Sequence, residues 1–365
     1  MHVSRLSLYI ARQVLAAMLL VWFVFGGLDL LISTIEEIGD TQRGYGVWQA
    51  MRHMLYIAPR QLYELLPASA LIGALAGLGS LAASNELVAM QAAGYSRWQI
   101  TLAVMQPTVL VMVLGLALGE YVAPPLEIQA GIDKTLALGA HVGMSRTGHW
   151  ERDGSAFYHF NYVEASTLHG VTLFEFDDQQ RLVHQVVAEE AIYRGPVAGK
   201  ADRNNWQMMN GKDFNFIYQD NNVTNSRQSF TERNWELDMT PELLQMLVVD
   251  PADMAISDLW RFAGRFLQQG QDAAPYFMGF WRKALQPLNT AVLVLVAISF
   301  IFGPLRSASM GLRVFSAICL GLAVTIVQKL LQQLSLVYHL PPLSAVLLPI
   351  LVCFLAGIVL LQKRI

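Results

Sequence analysis

Charge is scarce in this chain. Only 15% of its 365 residues are Asp, Glu, Lys or Arg, 54% are hydrophobic, and the mean hydropathy is +0.38. Soluble proteins carry roughly a quarter charged residues, so this is a membrane composition diluted by a soluble portion. A basic surplus is missing too: the formal net charge is -3 and the pI about 6.2, which argues against a nucleic-acid partner. Cysteine is nearly absent. Cys319 and Cys353 both fall inside apolar runs, at no metal-ligand spacing, and are read as small hydrophobes. Catalytic motifs are missing as well. The closest approach to a phosphate-binding loop, GPVAGKA at Gly195–Ala201, is one residue short between its glycines, and there is no HExxH, no GxSxG and no Cys/His cluster with zinc spacing. An intramembrane enzyme therefore has no catalytic constellation here, and any work the chain does draws on energy from elsewhere.

Long apolar runs are what it has. Arg5 and Arg12 precede Val14–Ile32, which is too long for the core of a signal peptide and reads as an uncleaved span. Glu36, Glu37, Asp40 and Arg43 follow in a predicted polar loop. A second span is expected from Met54 to Ala83, with Arg52, His53, Arg60 and Glu64 near its outer end and Pro67 bending it. A third covers Ile100–Val122. Gly73 with Gly77, and Gly115 with Gly119, form GxxxG pairs that allow helix backbones to approach closely, although small residues are common in membrane helices anyway. Later spans are predicted at Phe277–Phe302, Leu312–Leu336 and Leu343–Leu361, the first two joined by a tight turn at Gly303–Ser309.

Between them the pattern changes. From Ala130 to Asp250, short stretches alternate apolar and polar residues: Ala156–Ala165, Gly170–Asp177, Arg181–Arg194, Asn205–Tyr218 and Arg227–Leu237. Turn pairs such as Asp177-Asp178, Gly195-Pro196, Asn210-Gly211 and Asn221-Asn222 separate them. This spacing predicts an all-β sandwich or jellyroll. Tyr158, Phe160 and Tyr162 share one face and Phe214, Phe216 and Tyr218 another, as core or as an apolar groove. A Ser257-capped helix follows, with Leu259, Phe262, Ala263, Phe266 and Leu267 on one face, ended near Gly270 and lying at the membrane boundary. The expected fold is thus an α-helical membrane protein of six transmembrane helices with an inserted β-jellyroll, divided as 1–126, 127–250, 251–276 and 277–365.

The flanking charges orient it. Arg5, Arg12, Arg97, Arg306, Arg313, Lys363 and Arg364 fall on one side and only Arg43 and Arg52 in the opposite short loops, which places both termini inside and the β domain outside. Trp98, Trp281 and Tyr338 fit aromatic belts at the two boundaries. On the inner side, between the second and third spans, lies LGSLAASNELVAMQAAGYSRWQ, Leu78–Gln99. Ser84 is placed to cap a short helix, Glu86 sits in its first turn and Gly94 ends it, with Leu87 and Met90 on one face. Such an insert is either a plain loop helix or a grip for a soluble partner, and an ATPase is the expected partner. On the outer side, Arg52, Arg60, Arg282 and Lys283 either line a basic rim or snorkel to headgroups. Lys329, with Gln328, Gln332 and Gln333, is expected to face a cavity or a partner subunit.

Four blocks carry a resemblance: LPASALIGALAGLGSLAASNELVAMQAAGYSRWQ (Leu66–Gln99), GEYVAPPLE (Gly119–Glu127), QPLNTAVLVLVAISFIFGPLRSASMGLRV (Gln286–Val314) and VYHLPPL (Val337–Leu343). With their spacing kept over the whole chain, they resemble the lipopolysaccharide export permease family, YjgP/YjgQ. MQAAGYS and FIFGPLRS are similar to its LptG-type rather than its LptF-type branch. The resemblance implies a multi-pass subunit in the inner membrane of a Gram-negative bacterium, with both termini cytoplasmic and a periplasmic jellyroll. An LptF-type permease would complete a heterodimer around a cavity for lipopolysaccharide. An LptB ATPase dimer would supply ATP hydrolysis with Mg, and this chain would bind no cofactor itself. LptC would add a helix and a jellyroll and pass lipid to LptA. The family's coupling helix falls on about Ser84–Tyr95 and its glutamate on Glu86, with Leu87, Val88 and Met90 giving apolar contact and Arg97 polar contact. A cavity for lipid A joins a basic rim to an apolar interior, so Arg52, Arg60, Leu66, Arg282, Lys283 and Lys329 are its candidates. Family lysines near the end of the first span are replaced here by Glu36, Glu37 and Asp40, which favours a divalent-cation bridge or the span-two arginines. The alternative readings are an LptF-type subunit and a mechanotransmitting ABC permease without a lipid cavity.

Overall fold

The structure is a computed structural model and describes residues 5–39, 45–137, 149–153, 156–164, 166–177, 179–197, 203–219, 222–237, 239–241, 244, 250–268, 272–302 and 309–362. The chain divides into two compact units. The first comprises Met1–Asp40, Met54–Glu127 and Pro251–Ile365, and the second Thr41–His53 and Ile128–Asp250. Arg43, Arg306, Lys363 and Arg364 from the charge count lie outside the described residues, as do Asp40 and Gly270.

The helices are α1 (Arg5–Gly39), α2 (Val47–Ala83), α3 (Glu86–Ala92), α4 (Arg97–Ala117), a π-helical turn (Leu118–Val122) and α5 (Ala123–Ala137). After the sheet come α6 (Ile256–Gln268), α7 (Ala274–Ala284), α8 (Gln286–Phe302), α9 (Met310–Val337) and α10 (Pro342–Gln362). Among the described residues, five stretches are long and apolar enough to cross a membrane: Arg5–Gly39, Val47–Ala83, Arg97–Gly131, Gly311–Val337 and Pro342–Gln362. The sixth predicted crossing is not one straight helix. α7 and α8 meet at a 48° bend and make a single crossing only if taken as a pair. Pro287, the second residue of α8, has no N–H to continue the ladder of α7, so the helix breaks there. A second correction concerns Glu36 and Glu37, which lie in the last turn of α1 rather than in a loop.

Within the first unit, α1 lies directly against α2. A Cβ at Gly73 would stand 2.4 Å from Met18 Cα, and one at Gly77 would stand 3.0 Å from Val14 Cα. The first GxxxG therefore marks a backbone-to-backbone seam, as its spacing predicts. The second pair serves differently: Gly115 and Gly119 make room for the side chains of Leu66 and Tyr63. Ile10, Val14, Leu71, Leu75, Ile100, Val294 and Ile298 belong to one buried cluster from α1, α2, α4 and α8. The outer faces remain apolar, with Phe23, Leu31, Phe315, Leu322 and Leu355 each more than half exposed. Helices apolar on every side belong in lipid or against another membrane chain.

Among the described residues of the second unit, seven strands form one antiparallel sheet: β1 (His149–Asp153), β2 (Ala156–Phe160), β3 (Tyr162–Glu164), β4 (Thr167–Phe176), β5 (Leu182–Pro196), β6 (Asn204–Gln219) and β7 (Asn222–Leu237). Their order is β1-β2-β4-β5-β6-β7, with β3 also on β4. β1 carries no alternation strong enough to be read in advance. The predicted strand Ala156–Ala165 is broken at Asn161, whose N–H donates to His169 O at 2.9 Å and whose side chain occupies the space above Gly170. Four ladders separate β2 from β7, about 19 Å in a flat sheet. Yet the rings of Tyr158 and Trp235 lie 5.4 Å apart in an edge contact. The sheet thus curls upon itself, and one face encloses Tyr158, Phe160, Leu168 and Trp206, all fully buried. Sandwich-like packing is achieved by a meander, without a Greek-key crossover among the described strands.

Asn210-Gly211 does not separate strands. Asn210 adopts φ 49° and β6 runs on through it, but the buried positions switch from Trp206 and Met208 to Gly211 and Asp213. Phe214, Phe216 and Tyr218 consequently leave the core; Arg227 lies over the Phe214 ring and Arg181 over that of Tyr218. The side chain of Tyr162 lies outside the described residues.

Candidate coupling site

α3 has seven residues, too few to be stable alone, so its position is set by what it packs on. Leu87 and Met90, 4% and 7% exposed, point into the helical core beside Leu78 and Leu81. They fasten α3 to its own chain, and of the predicted apolar contacts only Val88, 53% exposed, faces outward. Ala89, Ala92 and Trp98 are exposed with it.

Both ends of α3 are sharply defined. At its start Asn85, not Ser84, is the capping position, in the left-handed region at φ 62° and without a side-chain cap. Asparagine tolerates this conformation better than most residues. Ser84 is used otherwise: its Oγ donates to Glu86 Oε1 at 2.8 Å. Tyr9, in the second turn of α1, donates its hydroxyl to Glu86 Oε2 at 2.9 Å. At the far end Gly94 takes φ 87°, Gly94 N–H donates to Gln91 O and Tyr95 N–H to Met90 O. That pair of bonds is a Schellman motif, which bears out Gly94 as the terminator. Ser96 and Gln99 then cap α4 reciprocally, at 3.2 and 2.8 Å.

Helix ends gather around α3. Arg97 lies 5.7 Å over the Phe302 ring at the end of α8, and buried Arg313 of α9 donates to Gly79 O at 2.7 Å. The start of α1, the end of α2, α3, and the adjoining ends of α4, α8 and α9 therefore share one end of the helical unit.

The opposite end holds most of the predicted basic residues, already engaged. Arg60 stands among Glu64, Glu127 and Asp253 at 3.3, 3.3 and 3.4 Å. Lys283 is 4% exposed and donates to Met254 O at 2.5 Å, while Arg282 donates to Ala252 O at 3.3 Å. These contacts fasten the segment before α6 to α2 and α7. α6 itself is capped from a distance, because Glu120 in the π-helical turn accepts from Ile256 N–H at 2.7 Å and Ser257 N–H at 3.4 Å. The predicted Ser257 cap is thereby replaced by a carboxylate at the positive end of the helix. Leu259, Phe262 and Ala263 are buried as expected, whereas Leu267 is 65% exposed. Leu66 lines a narrow cleft with Tyr63, Val111, Gly115, Gln286 and Thr290. Lys329 is exposed on α9, next to Gln328, which donates to Asn289 Oδ1 at 2.9 Å. Arg52 belongs to the other unit, where it pairs with Asp133 at 3.0 Å. Among the described residues no group of His, Cys, Asp or Glu is arranged to hold a metal.

A bundle of apolar helices with an inserted β domain and a short, inwardly anchored helix between two spans defines a membrane permease subunit. The chain belongs to the family of the lipopolysaccharide export system permease LptF/LptG, whose pattern it matches over residues 8–363. It is similar to the lipopolysaccharide export system permease protein LptG of Haemophilus influenzae, 32% identical over 353 residues covering 95% of each chain. It is likewise similar to that of Escherichia coli K12, 31% identical over 366 residues covering 98% of each.

Proposed function

We propose that this chain is the LptG-type subunit of an ATP-driven transporter that draws lipopolysaccharide out of the inner membrane and hands it to a periplasmic bridge. Near-complete coverage by LptG proteins supports the subunit type. The observation that carries the mechanism is α3, held by Leu87 and Met90 while Val88 and the Glu86 end remain at the surface. An LptF-type partner would cover the exposed apolar faces, and an LptB-type ATPase dimer would seat on α3 from the cytoplasm. Nucleotide-driven closure of that dimer displaces α3, and the displacement passes into α1, α2 and α4 through the buried core. A cavity between the two permeases is squeezed and lipid leaves toward the β domain. ATP and Mg belong to the partner, as this chain carries no phosphate-binding motif.

The polar end refines the substrate reading. Arg60 and Lys283 hold their own chain's carboxylates and carbonyl, so their charge shapes the field of the cavity rim more than it clamps a phosphate. Lys329, exposed on α9, is the better candidate for direct contact with lipid A phosphates, and Arg52, 46% exposed, reaches one only by sharing or releasing Asp133. Docking of LptC through its helix and its jellyroll completes the proposed assembly.

Purification with the ATPase and reconstitution into proteoliposomes tests this reading. ATP-dependent release of lipopolysaccharide is expected, and Glu86→Ala is expected to keep the complex together while abolishing release. Undiminished release by that variant refutes the lever; a complex that transmits ATP turnover without binding lipopolysaccharide supports the mechanotransmitter instead.

A further inference from the structure

We propose that Tyr9 and Ser84 form a two-hydroxyl clamp that positions the Glu86 carboxylate and makes α1 follow α3; the proposal rests on the reading of α3 as the ATPase lever. Three elements meet at this one side chain. Tyr9 comes from α1, Ser84 from the turn after α2, and Glu86 opens α3, with donor distances of 2.9 and 2.8 Å to different carboxylate oxygens. Each carboxylate oxygen accepts along two lone-pair directions. One direction per oxygen is taken by the clamp, which leaves the others for a donor on a partner.

The clamp lies at the head of the α1–α2 seam. Going on along α1, Gln13 Nε2 donates to Ser80 Oγ at 3.3 Å, Val14 and Ala17 abut Gly77, and Met18 abuts Gly73. Tyr9, Gln13 and Ala17 recur every four residues, so they occupy one face of the helix. That face has no slack, because backbone meets backbone at the two glycines. With only the seam, α1 is tied to α2; with the clamp, it is also tied to the element that takes the load. Two routes then reach the first span, one covalent through α2 and one through the Tyr9 hydroxyl.

Tyr9→Phe deletes the hydroxyl and keeps the ring. In the full transporter reconstituted into proteoliposomes, the quantity to read is lipopolysaccharide released per ATP hydrolysed, alongside recovery of the assembled complex. The expected result is unchanged recovery with release per ATP lowered about two- to tenfold, the range for the net loss of one ordinary hydrogen bond, since solvent at this exposed site weakens the charged one. Ser84→Ala removes the other donor and should lower it by a comparable factor, and Tyr9→Phe with Ser84→Ala should lower it more than either alone but no further than Glu86→Ala. Wild-type release per ATP in Tyr9→Phe, or loss of the complex, overturns the clamp while leaving the lever intact. Wild-type release in Glu86→Ala overturns the lever and the clamp together.

Discussion

Replacing Gly73 by alanine puts a single methyl group into the α1–α2 seam, and the cost can be worked from the contact geometry. The new Cβ would lie 2.4 Å from Met18 Cα and 2.8 Å from Met18 N, both backbone atoms that no rotamer change can move. Ordinary carbon contacts are about 3.5–4.0 Å, so α1 must retreat by roughly 1 Å. The retreat also opens the contacts of Gly77 with Val14 and Ala17 one turn further on. Overpacking of this kind costs about 1–3 kcal/mol. The matched control is Gly27→Ala in α1, where an added Cβ meets nothing within 4 Å. There the helix gains roughly 0.5–1 kcal/mol from the loss of glycine's backbone freedom. Thermal melting of the two variants in the same detergent should place Gly73→Ala a few degrees below the wild type and Gly27→Ala level with it or above. Melting of Gly73→Ala at the temperature of Gly27→Ala refutes the close backbone approach.

Three further outcomes follow from the polar contacts. Glu120→Ala strips the cap from α6 and should cost about 1–2 kcal/mol, whereas Glu120→Gln keeps an acceptor and should cost less; amide exchange at Ile256 and Ser257 reports both. Arg60→Ala leaves Glu64, Glu127 and Asp253 facing one another without their shared cation and should destabilise by about 2 kcal/mol, reduced from a fully buried pair because Arg60 is 28% exposed. Arg60→Lys should recover part of that loss in the same melting assay. Burial holds the His159 imidazole below its ordinary pKa, so the folded β domain keeps it neutral while the unfolded chain protonates near pH 6.5. The unfolded state then binds more protons, and stability should decline as pH falls below about 6.5; His159→Gln should flatten that decline in full-length protein unfolded at pH 7 and pH 5.5.

The parts legible in the sequence were those whose signal is local. Gly94 announced the end of α3 because a left-handed residue after a helix is a single-residue requirement. Gly73 and Gly77 announced the seam because their spacing is the seam. The long strands β4 and β5 showed themselves by alternation over enough residues to be unmistakable. What escaped detection depends on distant partners. Glu120 caps α6 across 136 residues, so the nearer Ser257 was the only cap a local reading could offer. Leu87 and Met90 looked like a docking stripe because periodicity gives a face without saying what covers it. Asn210-Gly211 has the composition of a turn, but pairing with β5 and β7 on either side holds it within a strand. The break at Leu285 was hidden because Phe277–Phe302 has the length of one crossing, although Pro287, with Arg282, Lys283 and Gln286 close by, was a usable clue.

The energetic logic of the molecule is a division between a lubricated exterior and two fastened ends. Lipid supplies no hydrophobic drive between helices, so close packing at small residues and polar bonds at the helix ends hold the bundle. At one end Arg313, Ser96 with Gln99, and Tyr9 with Glu86 fix the surroundings of α3. At the other, Glu120, Arg60 and Lys283 fix the chain's return from the β domain.

The decisive measurement is the sidedness of α3 and the sheet. With Cys319 and Cys353 replaced by alanine, Ala92→Cys on the exposed side of α3 and Ser226→Cys on β7 are labelled with a membrane-impermeant maleimide in right-side-out and inside-out vesicles. A lever worked by a cytoplasmic ATPase requires Ala92→Cys to react only in inside-out vesicles and Ser226→Cys only in right-side-out ones. Reaction of both positions from the same side contradicts it.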